Sequence, residues 1–168
     1  MPAIYKIPGP WPGHIAISSR PRGGDWLGDD VANWRQAGID VVVSLLESNE
    51  ETDLDLADEQ RLASLHGIRF VSFAIPDRGV PSKLSEFGNL LGDLRRELES
   101  GKTVAIHCRQ GIGRSALVAA GVLLSSGMDP AEALKTVAEA RGLPVPETRH
   151  QRNWLEGALS DYLSAART

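Results

Sequence analysis

Cys108 and Arg114 bracket a short loop between two apolar runs, Val104-Ala105-Ile106 before it and Ala116-Leu117-Val118 after it. A buried strand that passes through a glycine-bearing loop into a helix makes a site for an anion. The loop amides of Arg109, Gln110, Gly111, Ile112 and Gly113 can converge on one point, and the helix N-terminus adds roughly half a positive charge. Gly111 and Gly113 admit the backbone conformations this requires. A thiolate at the head of such a loop is stabilised for the same reason a phosphate is, so Cys108 is a candidate nucleophile. Arg114, with its planar fork of donors, would hold two oxygens of a transferring phosphoryl group as charge develops on them, which a lysine would not do. The Ser115 hydroxyl could donate to the cysteine sulfur and help it leave in a second step. Cys108 is the only cysteine in the chain, so neither an internal disulfide nor a zinc site of clustered thiolates can be built.

His107-Cys108, five intervening residues and Arg114-Ser115, with both glycines in place, resemble the signature loop of the protein tyrosine phosphatase superfamily. The resemblance runs over about 39–155 and is greatest to compact dual-specificity phosphatases of the cyclin-dependent-kinase-associated type. It implies an α/β fold and hydrolysis of phosphomonoesters through a phosphocysteine, with no cofactor and no metal. It also implies that His107 orders the loop and tunes the thiolate, and that an upstream aspartate serves as general acid. Asp77, in Ile75-Pro76-Asp77-Arg78-Gly79-Val80-Pro81, lies 31 positions before Cys108 and is the candidate. An ordinary turn aspartate beside proline and glycine is the plain alternative. Gln151 fits one of two family glutamines that position the hydrolytic water, but Glu147 stands where the other would be. A Thr148 cap with a solvated Gln151 is the alternative there.

These residues need a scaffold. The β-branched run Val41-Val42-Val43 reads as a central strand buried on both faces, with further strands over 68–75 and 103–107 and a short apolar run at 15–17. Helical character falls over 29–37, a segment ending near 66–67, 83–100, 115–124, 130–140 and 148–166. Strands alternating with helices predict a central, mostly parallel twisted sheet of about four to five strands with helices on both faces. Residues 1–168 read as one phosphatase domain in which 1–14, dense in proline and glycine, form an irregular lead-in. The acidic run 47–55 reads as a solvated loop, as do Arg20 and Arg22, although those two could face substrate.

A net charge of −4 gives no general attraction for nucleic acid or an anionic membrane, so an anion must be bound locally. No apolar run of about 18 residues exists, and the opening residues lack a signal peptide's apolar segment, so the expected location is the cytoplasm. The expected partner is a phosphorylated protein or peptide carrying phosphotyrosine, with phosphoserine and phosphothreonine open. Phosphoinositides or other small phosphomonoesters rank below it, because the loop carries only Arg109 and Arg114 as cations and no lysine. A phosphate-binding module without catalysis ranks lower still.

Overall fold

The computed structural model describes residues 1–167. Five strands form one sheet: β1 (Ile4–Ile7), β2 (His14–Ser18), β3 (Val41–Ser44), β4 (Arg69–Ser72) and β5 (Thr103–His107), in the order β1-β2-β5-β3-β4. All neighbours are parallel except β1, which runs antiparallel to β2. The mostly parallel α/β sheet is as expected.

The N-terminal strand is a correction to the irregular lead-in. Ile4–Ile7 pairs residue for residue with Ile15–Ser18, and the proline- and glycine-rich stretch between them turns the chain back. Ile7 enters the core, and as an edge strand β1 pairs its backbone on one side only, with β2.

Alternation along the strands sorts the core into two faces. Val41, Val43, Val104, Ile106, Ile15 and Ile17 pack with α4 (Leu84–Glu99), α5 (Arg114–Ser125), α6 (Pro130–Arg141) and the C-terminal helical stretch. Val42 and Ala105 face the other way, toward α1 (Leu27–Gln36) and α3 (Glu59–Leu65). Helix α5 is apolar almost all round because it is enclosed by the sheet, α4 and α6, as a buried helix must be. The last helical stretch is divided into α7 (Arg149–Trp154), a π-helical turn at Leu155–Leu159, and α8 (Ser160–Ala166).

The acidic run is not a solvated loop. Ser48–Asp53 forms a short helix, α2, opened by a capping box in which the side chains of Glu47 and Glu50 satisfy each other's backbone N–H groups. Glu50 is drawn inside by that arrangement. No helix among the described residues is long and apolar enough to cross a membrane.

Candidate active site

Four parallel strands end on the same side of the sheet, and each hands over to a segment that carries one part of the site. Arg20 follows β2, Glu50 follows β3, Asp77 follows β4 and Cys108 follows β5. Crevices at the carboxyl ends of parallel strands are where open α/β sheets bind ligands. One small pocket of about 40 Å³ lies there, lined by Asp77, Cys108, Arg109, Ile112, Arg114 and Glu147 among others.

Cys108 is 3% exposed, and its sulfur accepts the N–H of Gly111 at 3.2 Å. Gly111 has φ of +72°, a left-handed conformation that reverses the loop, turns its N–H toward the sulfur and would strain any other residue. The outward-facing carbonyls are tied from behind. Arg20 donates to the Arg109 carbonyl at 2.9 Å, and Arg141 donates to those of Gly111 and Gln110 at 3.0 and 3.2 Å. With its carbonyls held outside, the loop's amides are left to face the pocket.

Arg114 opens α5 and is almost fully buried. Glu50 takes one N–H from each of its terminal nitrogens, at 2.7 and 2.9 Å, and the Ile75 carbonyl accepts another from Nη1 at 3.0 Å. Nη2 also reaches Asp77 Oδ1 at 3.1 Å. Of the five donors on a guanidinium, the Nε–H and the Nη2–H now given to Asp77 remain along one edge. Burial works against charge on both partners. Even so, the Arg114 hydrogen bonds, the Glu47 N–H and the charges of Arg114 and Arg109 hold the Glu50 carboxyl below its ordinary range. For Arg114, the Glu50 hydrogen bonds and the charges of Cys108, Glu50 and Asp77 more than offset burial and raise its pKa.

Asp77 is half exposed at the pocket mouth. Arg78, next to it, has φ of +60°, uncommon for a residue with a side chain, and its guanidinium pairs with Glu147 at 2.8 Å. Gln151 makes a second tie to the same loop, donating from Nε2 to the Gly79 carbonyl at 3.0 Å. Thr148 caps α7 in a reciprocal box with Gln151. Gln151 is therefore buried, not solvated, and a Cβ at Gly113 would come within 2.9 Å of its amide.

His107 is enclosed. Its Nε2 lies 2.6 and 3.0 Å from the two oxygens of buried Glu59, which places the proton on that nitrogen, and its ring stacks on Trp34. Nδ1 is 3.5 Å from the Cys108 carbonyl, a long contact, so the firm tie of His107 is to α3. Ser115 Oγ is buried with no hydrogen-bond partner among the described residues, so the expected donation to the Cys108 sulfur is not made in this state. Gly111 N–H holds the sulfur instead.

Sequence reasoning missed Glu50, Glu59 and Arg141. The pattern Glu47-Ser48-Asn49-Glu50, with glutamate at both ends of a helix's first turn, was the available signal for the first.

Residues 17–128 match the family described as polymorphic toxin system, DSP-PTPase phosphatase. The chain belongs to that family. It is 29% identical over 141 residues to cyclin-dependent kinase inhibitor 3 of Rattus norvegicus, an alignment covering 81% of this chain and 66% of that protein. The corresponding protein of Sus scrofa is 29% identical over 75% of this chain and 60% of its own length, so the chain spans under two thirds of these relatives. Among solved structures, kinase associated phosphatase with its catalytic-site cysteine replaced by serine matches with a TM-score of 0.87. That match has 21% identity and covers 98% of this chain and 97% of the other, a likeness of fold. Tk-PTP in its active form matches at 0.76 with 27% identity, over 94% and 96% of the two chains.

Proposed function

We propose that this chain hydrolyses phosphotyrosine, and phosphoserine or phosphothreonine, in proteins through a phosphocysteine on Cys108. The observation that carries this reading is the meeting of Cys108, Arg114 and Asp77 in one pocket walled by loop amides. In the first step the Cys108 sulfur attacks phosphorus, an S–P bond forms, the ester P–O bond breaks, and Asp77 gives its proton to the departing oxygen. In the second, Asp77 takes a proton from water as the water oxygen attacks phosphorus and the sulfur leaves with the bonding pair.

Arg114 bears the electrostatic load. Its Nε/Nη2 edge and the loop amides meet the equatorial oxygens, while Glu50 fixes the plane of the guanidinium before substrate arrives. Asp77 accepts from one of those two donors, the Nη2–H. An incoming phosphoryl oxygen replaces it and frees the carboxyl for the leaving group. Gln151, locked to Thr148 and Gly79, braces the acid loop, and any part it plays in placing water runs through that loop. His107 braces the strand end through Glu59. A reducing compartment protects a loop thiolate from oxidation, which favours a cytoplasmic location.

The test is hydrolysis of p-nitrophenyl phosphate in the presence of a chelator by the intact chain and by Cys108→Ser. Turnover by the first and not the second is expected, with phosphate trapped on Cys108 after acid quench. Equal rates would overturn the reading.

A further inference from the structure

A second depression adjoins the catalytic pocket, sharing Arg109 and Gln110 with it and bounded on its far side by Arg20, Arg22 and Leu54. Its volume of about 520 Å³ is ample for a side chain or a phosphate group. Three arginines line it, and they differ in what balances their charge. Arg22 is held by both oxygens of buried Asp30, at 3.1 and 2.7 Å, and lies over the Trp26 ring. Its charge is spoken for. Among the described residues Arg109 has only Glu50 Oε2, at 3.9 Å, as an ion-pair partner, and both oxygens of Glu50 already accept from Arg114. Arg20 bonds to a neutral carbonyl and forms no ion pair among the described residues. Pinning that carbonyl uses one of its five donors.

Two weakly balanced guanidinium groups thus converge beside the phosphate loop of a chain whose net charge is −4. Charge of one sign lining a cleft focuses the field there and raises the local concentration of anions. We infer that this depression is an anion subsite that receives an acidic group of the substrate, a carboxylate or second phosphate on a residue flanking the phosphoresidue that enters the catalytic pocket. The inference rests on the phosphatase reading of Cys108. Arg20 and Arg109 hold the acidic group, and Leu54 gives its stem an apolar wall.

The experiment uses phosphotyrosine peptides in which a single Glu, a single phosphoserine or a matched Gln is walked through the flanking positions, with p-nitrophenyl phosphate as the small substrate. The intact chain is expected to favour an acidic residue at one position by about tenfold in kcat/KM, carried mainly in KM. Arg20→Gln and Arg109→Ser should bring that ratio near one, Arg20→Lys should keep part of it, and added salt should weaken it. A purely structural Arg20 would instead lower all rates together and leave the ratio intact. That result, or no acidic preference at any position, overturns the subsite. Arginine dependence confined to inositol-lipid vesicles would overturn the peptide assignment. If p-nitrophenyl phosphate is not hydrolysed at all, the failure lies with the phosphatase reading. Fluorescence polarisation of the same peptides on Cys108→Ser still decides the subsite, through equal or unequal affinity for the acidic and Gln forms.

Discussion

Glu50 and Arg114, 64 positions apart in sequence, meet as a two-pronged pair with both side chains withdrawn from water. The pair sets the plane of the guanidinium and leaves one edge for a ligand. Its worth lies less in net attraction, which desolvation largely cancels, than in the cost of breaking it. Glu50→Ala should therefore lower unfolding free energy by about 3–5 kcal/mol, measured by urea titration. Where the variant still folds, kcat should drop by about a hundredfold because Arg114 loses its orientation. Unchanged kinetics would remove Glu50 from the positioning role.

Two glutamates of α2 should give opposite pH signatures. The folded Glu50 carboxyl titrates below its ordinary value, so the unfolded chain binds protons first as the solution is acidified. Its stabilisation is complete above the ordinary carboxylate range and is lost as pH falls through the lower folded value. Glu51 is pushed up by burial and by the neighbouring charge of Glu59, partly offset by His107, so there the folded chain takes the proton first. Its penalty is present above the raised value and disappears on acidification. Glu51→Gln should accordingly stabilise the protein at neutral pH and do nothing at a pH below the ordinary glutamate range. Stability curves of the two proteins against pH would show the gap closing toward acid.

Asp77→Asn keeps the size of the side chain and its contact with Arg114 but cannot shuttle a proton. A loss of about 10²- to 10⁴-fold is expected for alkyl phosphates and much less for aryl phosphates with good leaving groups. The basic limb of the rate profile should vanish. A loss that is the same for both kinds of leaving group would assign the acid elsewhere.

The Arg78–Glu147 pair crosses the pocket mouth with the arginine largely exposed. Exposed pairs contribute about 0.2–1 kcal/mol, so Glu147→Gln should change kcat by no more than about fivefold, and less at high salt. Arg78→Gly relieves the left-handed backbone while cutting the same tie. If the tie matters more than the strain, both variants should slow the step that needs Asp77 and leave the rate of Cys108 alkylation untouched.

Burial of the Glu59 carboxylate is justified by His107. Glu59→Ala leaves a buried Nε2–H without an acceptor, which should cost about 1–3 kcal/mol of stability in denaturant melts.

The parts of the site that are contiguous in sequence were the parts legible in it. Thr103–His107, the loop and α5 form one strand-loop-helix unit whose pattern needs no distant partner, and Cys108 and Arg114 could be assigned from spacing alone. Asp77 could be proposed because the family resemblance calls for an upstream aspartate and this one, after a strand, stands at a fitting spacing from Cys108. Glu50 and Glu59 were hidden for the opposite reason. An acidic stretch is solvated by default, and only an arginine and a histidine arriving from the far half of the chain make burial tolerable. Ile4–Ile7 was masked by the prolines and glycines after it, which build the turn that returns the chain to its partner strand. Gln151 was found, but its enclosure depends on the Gly79 carbonyl and on the missing side chain of Gly113.

Arg20 and Arg141 hold the loop carbonyls outward through contacts made by the protein alone. A cradle already shaped for a dianion does not distinguish the phosphate on a substrate from the phosphate that is released. Orthophosphate and its tetrahedral oxyanion mimics should then compete with substrate for the same seat, and the enzyme's choice among substrates must be made by what surrounds the loop.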